Sequence, residues 1–190
     1  MSTNKLSEDE KQTLLRIARD SMERAVKKEN LSPLDLNTMS GLLRVDGASF
    51  VTLTIHGNLR GCIGALEPYQ PLALDVREHA IAAALDDPRF PPVASSELDQ
   101  IEIEISRLTV PERLEYKDAD DLLAKLRPHV DGVILRDGFR RATFLPQVWD
   151  KIPDQIKFLE NLCYKMGASS NLWKQKHLEV LIYQVEEFHE

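Results

Sequence analysis

The chain has 190 residues, of which 43% are hydrophobic and 29% are charged, and its net charge is −7 at pH 7. The length suits one domain, or a domain with a small subdomain, and the composition is that of a globular protein. The negative charge disfavours a general nucleic-acid binder, and no apolar run has the length of a membrane span.

The first predicted element is an amphipathic helix. Ser7 and Glu10 have the spacing of a capping box, and apolar residues recur at helical spacing behind them as far as about Lys28. The mixed stretch that follows, 31–47, is predicted to be mostly loop.

A β-hairpin and a second helix are predicted next. Residues 50–55 are apolar and β-branched, which is typical of a strand, and Gly57-Asn58 predicts a hairpin turn. The arm 60–65 would pair back against that strand. Pro71 suits the start of the following helix, 72–84.

The remainder of the chain is predicted to mix short helices with hairpin strands. Apolar and polar residues alternate in 101–106, which predicts a strand with one solvated face. Asp137-Gly138 predicts a type I′ turn between two strands. The other predicted elements are a helix at 118–126, a helix that ends at Gly167 and a closing strand at 178–185. Because hairpins outnumber βαβ units, the predicted fold is α+β, with a mainly antiparallel sheet flanked by helices.

The stretch Leu59–Gly64 on the hairpin is the first candidate functional site. Gly61 and Gly64 lie inside a predicted strand, where glycine usually marks a bulge or the close approach of another backbone or a ligand. Cys62 lies between them, and Arg60 precedes them. A cation near the thiol could activate it as a nucleophile, provided that no bulge separates the two side chains. The alternative is a small buried thiol without reactivity, the more common state of free cysteine.

The loop Asp86–Phe90 is the second candidate. Paired carboxylates beside Arg89 could bind a polar ligand or take part in acid–base chemistry. Alternatively, Asp86 or Asp87 caps a turn and Arg89 neutralises it. His56 and His79 are candidate bases for Cys62, although no spacing requires either to meet the thiol.

Nothing in the sequence indicates a cofactor or a metal. It has neither a Walker-type loop nor a Gly-x-Gly-x-x-Gly motif, and its histidines and cysteines lack the spacing of a zinc site. Cys62 and Cys163 are far apart, so we expect free thiols in a cytoplasmic protein. Arg140-Arg141 beside Phe139 is interpreted as a solvated hairpin edge, because the net charge disfavours a nucleic-acid surface.

The stretch Leu59–Gly64 is similar to the six-residue signature of the AMMECR-one domain family, whose prokaryotic members are also called AmmeMemoRadiSam system protein A. The resemblance covers nearly the whole chain, so residues 1–190 are interpreted as a single domain of this type. The other matching segments are Asp87–Pro91, Ile101–Ser106, Phe144–Val148, Phe158-Leu159, Leu162–Lys165 and Trp173.

The resemblance implies a larger α+β subdomain made from both chain ends, a smaller middle subdomain within about 60–130, and a cleft between them near the signature. It also implies an intracellular protein, and it suggests a Memo-like or radical S-adenosylmethionine protein as a pathway partner. It assigns no role to any residue.

Two functions are compatible with this sequence. As an enzyme, the protein would act on a small polar or anionic substrate in a cleft, with Cys62 as nucleophile or redox thiol, Arg60 as an anion clamp, and Asp87 or Arg89 across the cleft. As a non-catalytic module, it would bind and regulate a partner protein or bind a ligand, with the glycines serving close packing and Arg60 holding a carboxylate between subdomains. The candidate ligand-binding residues are Arg60, Gly61, Gly64, Asp87 and Arg89.

Overall fold

The computed structural model describes residues 5–190. The chain divides into two compact units, one made of residues up to Thr109 together with Glu186–Glu190, the other of Val110–Val185. The smaller unit therefore lies further along the chain than the range of about 60–130 that the resemblance implied. The reason is strand pairing, since Asn58–Gly64 and Ile101–Leu108 both pair with the central strand of the larger unit.

Helices and strands follow one another along the described chain without regular alternation. The helices are α1 (Glu8–Val26), α2 (Gly41–Arg44), α3 (Leu72–Leu85), α4 (Ala119–Lys125), α5 (Val148–Lys151), α6 (Gln155–Lys165) and α7 (Leu172–Gln175). The strands are β1 (Asp46–Ile55), β2 (Asn58–Gly64), β3 (Gln70–Pro71), β4 (Ile101–Leu108), β5 (Glu112–Arg113), β6 (Gly132–Asp137), β7 (Arg140–Phe144), β8 (Glu179–Tyr183) and β9 (Val185–His189). Two 3-10 helices lie at Leu36–Thr38 and Ser95–Gln100. No helix within residues 5–190 is long and apolar enough to cross a membrane.

The larger unit contains a five-stranded sheet in the order β2-β1-β4-β9, with β3 paired to β1. One face packs on α1 and α3 through alternate residues, among them Leu53 of β1 and Ile103 of β4. The other face carries Thr52, Cys62 and Glu104, which lie side by side in the strand register. We call it the Cys62 face. The alternation confirms the prediction that 101–106 forms a strand buried on one side.

The N-terminal predictions hold in outline and differ in detail. The capping box of Ser7 and Glu10 begins α1, which ends at Val26, two residues before the predicted end. The predicted loop 31–47 contains a 3-10 turn, the short helix α2 and the start of β1. The hairpin turn lies one residue earlier than predicted. His56 and Gly57 occupy its centre with φ of 51° and 75°, as a type I′ turn requires.

The smaller unit contains a four-stranded sheet in the order β5-β8-β6-β7 over a separate apolar core, in which Trp149 stacks on Phe158. The predicted type I′ turn was wrong, because only the first central residue, Gly138, has positive φ. The predicted closing strand was also wrong in extent, because the chain leaves this sheet at Gln184 and β9 joins the first sheet. All the strand pairings with a defined register are antiparallel, and the α+β class is confirmed.

Candidate functional site

The two glycines of the signature strand are explained by close approach of backbone. A Cβ atom added at Gly61 would lie 2.0 Å from the carbonyl oxygen of Ala83 on α3. A Cβ at Gly64 would lie 2.4 Å from the carbonyl oxygen of Ser49 and equally near the ring of Phe50. Both positions therefore exclude any side chain, and β2 packs against α3 more closely than a strand with a Cβ could.

Arg60 is separated from Cys62 by a β-bulge. Leu53 pairs with Gly61 while Thr54 pairs with Leu59, so Arg60 is the inserted residue. Its Nε and Nη2 atoms donate to the two carboxylate oxygens of Glu97 at 2.7 and 3.0 Å, and Nη1 donates to the carbonyl of Pro91 at 3.0 Å. Their mutual hydrogen bond is the main cause that raises the pKa of Arg60 and lowers that of Glu97. The anion that Arg60 clamps is thus a carboxylate of the same chain.

Cys62 lies on the Cys62 face, directly opposite Thr52 of β1. Its thiol is free and the residue is half-buried. Thr52 Oγ1 donates a hydrogen bond to Sγ at 3.2 Å. The fully buried cysteine is Cys163, whose thiol pKa is raised by burial in the core of the smaller unit. The two cysteines therefore differ in access, and only Cys62 is placed to meet a ligand.

The loop after α3 returns to the signature strand and holds it. The carboxylate of Asp87 accepts hydrogen bonds from the backbone N–H of Cys62 at 2.8 Å and of Arg89 at 3.0 Å. It also accepts from Nε and Nη2 of Arg89 at 2.9 and 2.7 Å. The Arg89 hydrogen bond is the main cause that holds the pKa of Asp87 well below its ordinary value, because it outweighs the opposing effect of burial. Asp87 is thus a buried, ionised anchor.

The guanidinium of Arg89, which is bound to Asp87, also contacts the backbone of Cys62. Its Nη2 atom donates to the carbonyl of Cys62 at 3.1 Å, while 53% of its side chain remains exposed. The hydrogen bond to Asp87 is the main cause that raises the pKa of Arg89, and smaller contributions of the same sign come from the Cys62 side chain. The structure therefore brings Cys62, Asp87 and Arg89 together, and it leaves Arg60 in a separate ion pair.

A cavity of about 300 Å³ opens on the Cys62 face, and Cys62, Asp87 and Arg89 are not part of its wall. Thr52, the hydrogen-bond donor to Cys62, is part of its wall, as are Thr54, Glu102, Ile103, Glu104, His189 and Glu190. All of these residues belong to the larger unit, and all except Glu190 lie on the strands β1, β4 and β9 of its sheet.

The candidate bases do not join the cluster. His79 lies on α3 with Nδ1 3.2 Å from the buried carboxylate of Asp75, which also accepts from Ser49 at 2.6 Å. His56 lies in the hairpin turn, and no histidine among residues 5–190 hydrogen-bonds to Cys62. The same residues contain no group of three or more His, Cys, Asp or Glu side chains that could hold a metal ion.

Sequence reasoning missed Thr52, Glu97 and Glu104. The period of two along β1 and β4 could have placed Thr52 and Glu104 on one face. Their alignment with Cys62 could not have been predicted, because it depends on the bulge at Arg60. Glu97 is brought to Arg60 by the 3-10 helix Ser95–Gln100, for which the sequence showed no periodic signal.

Comparison with known proteins gives consistent matches over nearly the full length. The family model AMMECR1 matches residues 15–188. A protein of Methanothermobacter thermautotrophicus is 41% identical over 97% of this chain and 96% of its own length. A protein of Thermofilum pendens is 36% identical over 97% of this chain and 91% of its own. The crystal structure of an uncharacterized protein from Pyrococcus horikoshii is 33% identical, with a TM-score of 0.72, and covers 93% of this chain and 89% of that one.

Proposed function

The chain belongs to the AMMECR1 family, and from the geometry of its signature strand we propose that it is a thiol-dependent enzyme acting on a small polar substrate. The observation that carries the proposal is the half-buried Cys62, whose backbone carbonyl accepts a hydrogen bond from Arg89 at 3.1 Å while Asp87 fixes that guanidinium in place. The thiolate is the reactive form of cysteine, and a neighbouring cation favours it.

Each member of the cluster has a distinct part in this proposal. Cys62 is the nucleophile. Arg89 stabilises negative charge on the sulfur, and its exposed portion contacts the substrate. Asp87 is a positioning residue, because it fixes both the guanidinium and the backbone N–H of Cys62. A reactive thiol persists in a reducing compartment, so we place the protein in the cytoplasm.

The proposal is tested by exposing the purified protein to a polar metabolite extract. Mass spectrometry would follow both the loss of metabolites and the mass of the protein. We expect a metabolite to be consumed by the wild type and by Cys163→Ala, and an adduct to be found at Cys62. Cys62→Ser should lose both signals while keeping the circular dichroism spectrum of the wild type. Equal metabolite profiles with wild type and Cys62→Ser would overturn the proposal.

A partner-binding module is the second candidate, supported by one surface of the smaller unit. Phe139 lies at the tip of the β6–β7 hairpin with its side chain fully exposed, and it is followed by Arg140. Aromatic and arginine side chains dominate the energy of protein interfaces. The partner class is the Memo-like or radical S-adenosylmethionine protein that the family resemblance implied.

The two candidates separate in a calorimetric titration with a purified Memo-like protein from the same genome. A binding module would lose roughly tenfold or more in affinity with Phe139→Ser, as expected for a central aromatic anchor, and would keep its affinity with Cys62→Ser. Absence of binding, or equal affinity of wild type and Phe139→Ser, would remove the second candidate.

A further inference from the structure

The tip of the β6–β7 hairpin carries an aromatic side chain that this chain does not bury. Phe139 lies there with its side chain fully exposed. A single exposed apolar side chain is common on protein surfaces, so its surroundings decide whether it is a docking residue. An aromatic side chain that does dock buries about 150–250 Å² and dominates the energy of the contact.

Cations lie on and beside this hairpin. Arg140 follows Phe139, and both Arg140 and Lys176 bind the carboxylate of Asp137, Lys176 at 2.5 Å. Lys165 donates to a backbone carbonyl of β7 at 2.9 Å and, among the residues that the structure describes, forms no ion pair with a carboxylate. Three cations therefore accompany one carboxylate here, in a chain whose net charge is −7. We call Phe139, Arg140, Lys165 and Lys176 the basic tip.

The two units divide the charge of the chain unequally. Residues 110–185 contain 12 Lys and Arg against 11 Asp and Glu, whereas the remainder of the chain contains 12 against 20. The larger unit is therefore strongly acidic, and the smaller unit is slightly basic. Complementary charge steers two surfaces together and fixes their register. The basic tip of one copy is thus attracted to the larger unit of another copy.

The cavity on the Cys62 face of the larger unit has the size and the charge to receive this tip. Its volume is about 300 Å³, whereas a cavity of about 150 Å³ is enough to hold a benzene molecule. Thr52 and Thr54, which both carry a methyl group, are part of its wall. Glu102 and Glu104 also line it, and within residues 5–190 their carboxylates have neither a hydrogen bond nor an ion pair. An aromatic ring accompanied by cations complements such a cavity.

We infer that the protein associates with a second copy of itself, the ring of Phe139 entering the cavity of the next copy while Glu102 and Glu104 bind the cations of the basic tip. The inference goes beyond both proposed functions, because it requires neither a reactive thiol nor another protein. A contact between two different surfaces of the same chain is heterologous, so it leads to a ring or an open assembly. One hairpin tip covers less than the roughly 1,600 Å² of a standard interface, so the association is weak and rises with protein concentration.

The inference is tested by sedimentation equilibrium of the full chain over a wide range of concentrations, with a reductant present to prevent disulfide cross-links. The weight-average mass of the wild type should rise above that of one chain, and added salt should reduce the rise. Phe139→Ser should weaken the association tenfold or more, as expected for a central aromatic anchor. Glu102→Lys/Glu104→Lys should also weaken it, because repulsion of the basic tip replaces attraction.

Two control variants make the same chemical changes at other places. Val45→Ser removes an exposed apolar side chain of the larger unit. Glu29→Lys/Glu115→Lys reverses two carboxylates whose side chains are 53% and 75% exposed, so its change in net charge equals that of Glu102→Lys/Glu104→Lys. Both controls should associate as the wild type does, and every variant should keep the circular dichroism spectrum of the wild type.

A mixing experiment identifies the two surfaces that meet. Phe139→Ser keeps an intact cavity, and Glu102→Lys/Glu104→Lys keeps an intact basic tip. An equimolar mixture of the two variants should therefore form a complex of one copy of each and nothing larger, although each variant alone stays close to the mass of one chain. A contact between two hairpin tips would not be restored in this mixture.

The inference would be overturned by a wild type that keeps the mass of one chain at every concentration, by an association that Phe139→Ser leaves unchanged, or by a mixture no heavier than its separate variants. A wild type that stays a single chain but binds the partner protein of the second candidate through Phe139 would assign this surface to that partner instead. None of these results depends on the reactivity of Cys62, so the proposed thiol chemistry stands or falls separately.

Discussion

Substituting alanine for Gly61 is predicted to destabilise the protein severely. The added Cβ would lie 2.0 Å from the carbonyl oxygen of Ala83, whereas carbon and oxygen atoms in contact are about 3.3 Å apart. The strand and the helix must therefore separate by more than 1 Å, on the order of the difference between those distances. Neither element yields easily, because β2 is paired to β1 in the sheet and α3 packs in the same core through fully buried side chains such as Val76.

The expected cost lies at the upper end of the range for overpacking, about 3 kcal/mol. For a chain of this length that corresponds to a fall in Tm of roughly 6–12 °C. Urea unfolding followed by far-ultraviolet circular dichroism measures it. Tryptophan fluorescence does not suffice, since Trp149 and Trp173 both lie in the smaller unit.

Gly41→Ala is the matched control, because a Cβ at Gly41 meets no atom within 4 Å and its φ is not positive. We expect this variant to be as stable as the wild type or up to about 1 kcal/mol more stable. A loss of less than about 1 kcal/mol for Gly61→Ala, below the usual range for overpacking, would refute the reasoning from close approach.

Three further predictions concern charge and burial. Since Arg89 holds the pKa of Asp87 below its ordinary value, the stabilisation from this carboxylate is present above about pH 4 and is lost as the pH falls further. At neutral pH the wild type should be about 2 kcal/mol more stable than Asp87→Asn. Urea unfolding measured at decreasing pH should show this difference in stability shrinking towards pH 2, and a difference that stays constant would contradict the prediction. Burial raises the pKa of Tyr183 to about 12, so its stabilisation is fully present below about pH 10 and is lost progressively as the pH rises towards 12. Ultraviolet titration should show an ionisation near pH 12 that Tyr183→Phe removes, whereas an unchanged titration would refute it. Arg60→Lys breaks the bidentate pair with Glu97 and should lower the free energy of unfolding by roughly 1–2 kcal/mol. Arg113→Lys, in an exposed pair, should lower it by under about 0.5 kcal/mol. Equal losses in the two variants would be inconsistent with a specific role for Arg60.

Much of the fold was predictable because its signals are local. Each of these signals depends on the conformation of residues close together in the sequence. Examples are the capping box at Ser7, the alternation in β4 and the glycine at position 167. The strand that closes the chain was not predictable in this way. Gln184 is flanked by the apolar residues Tyr183 and Val185, and only the partners β6 and β4, distant in sequence, assign β8 and β9 to different sheets.

The candidate site was predictable as a place but not as a set of contacts. The glycines of Leu59–Gly64 indicated close approach, and that interpretation is confirmed at Gly61 by Ala83. The sequence paired Cys62 with the nearer cation, Arg60, whereas the bulge moves that side chain away and α3 returns Arg89 instead. A bulge is set by hairpin register and packing, for which the local sequence had no separate signal.

The most direct test of a thiol-dependent function is the rate at which iodoacetamide alkylates Cys62 at neutral pH in a Cys163→Ala background. We predict that native Cys62 reacts several-fold faster than the same residue in the urea-unfolded chain, and that Arg89→Gln removes this advantage while Arg113→Gln keeps it. Native Cys62 that reacts no faster than in the unfolded chain, with or without Arg89, would contradict the assignment of Cys62 as the nucleophile.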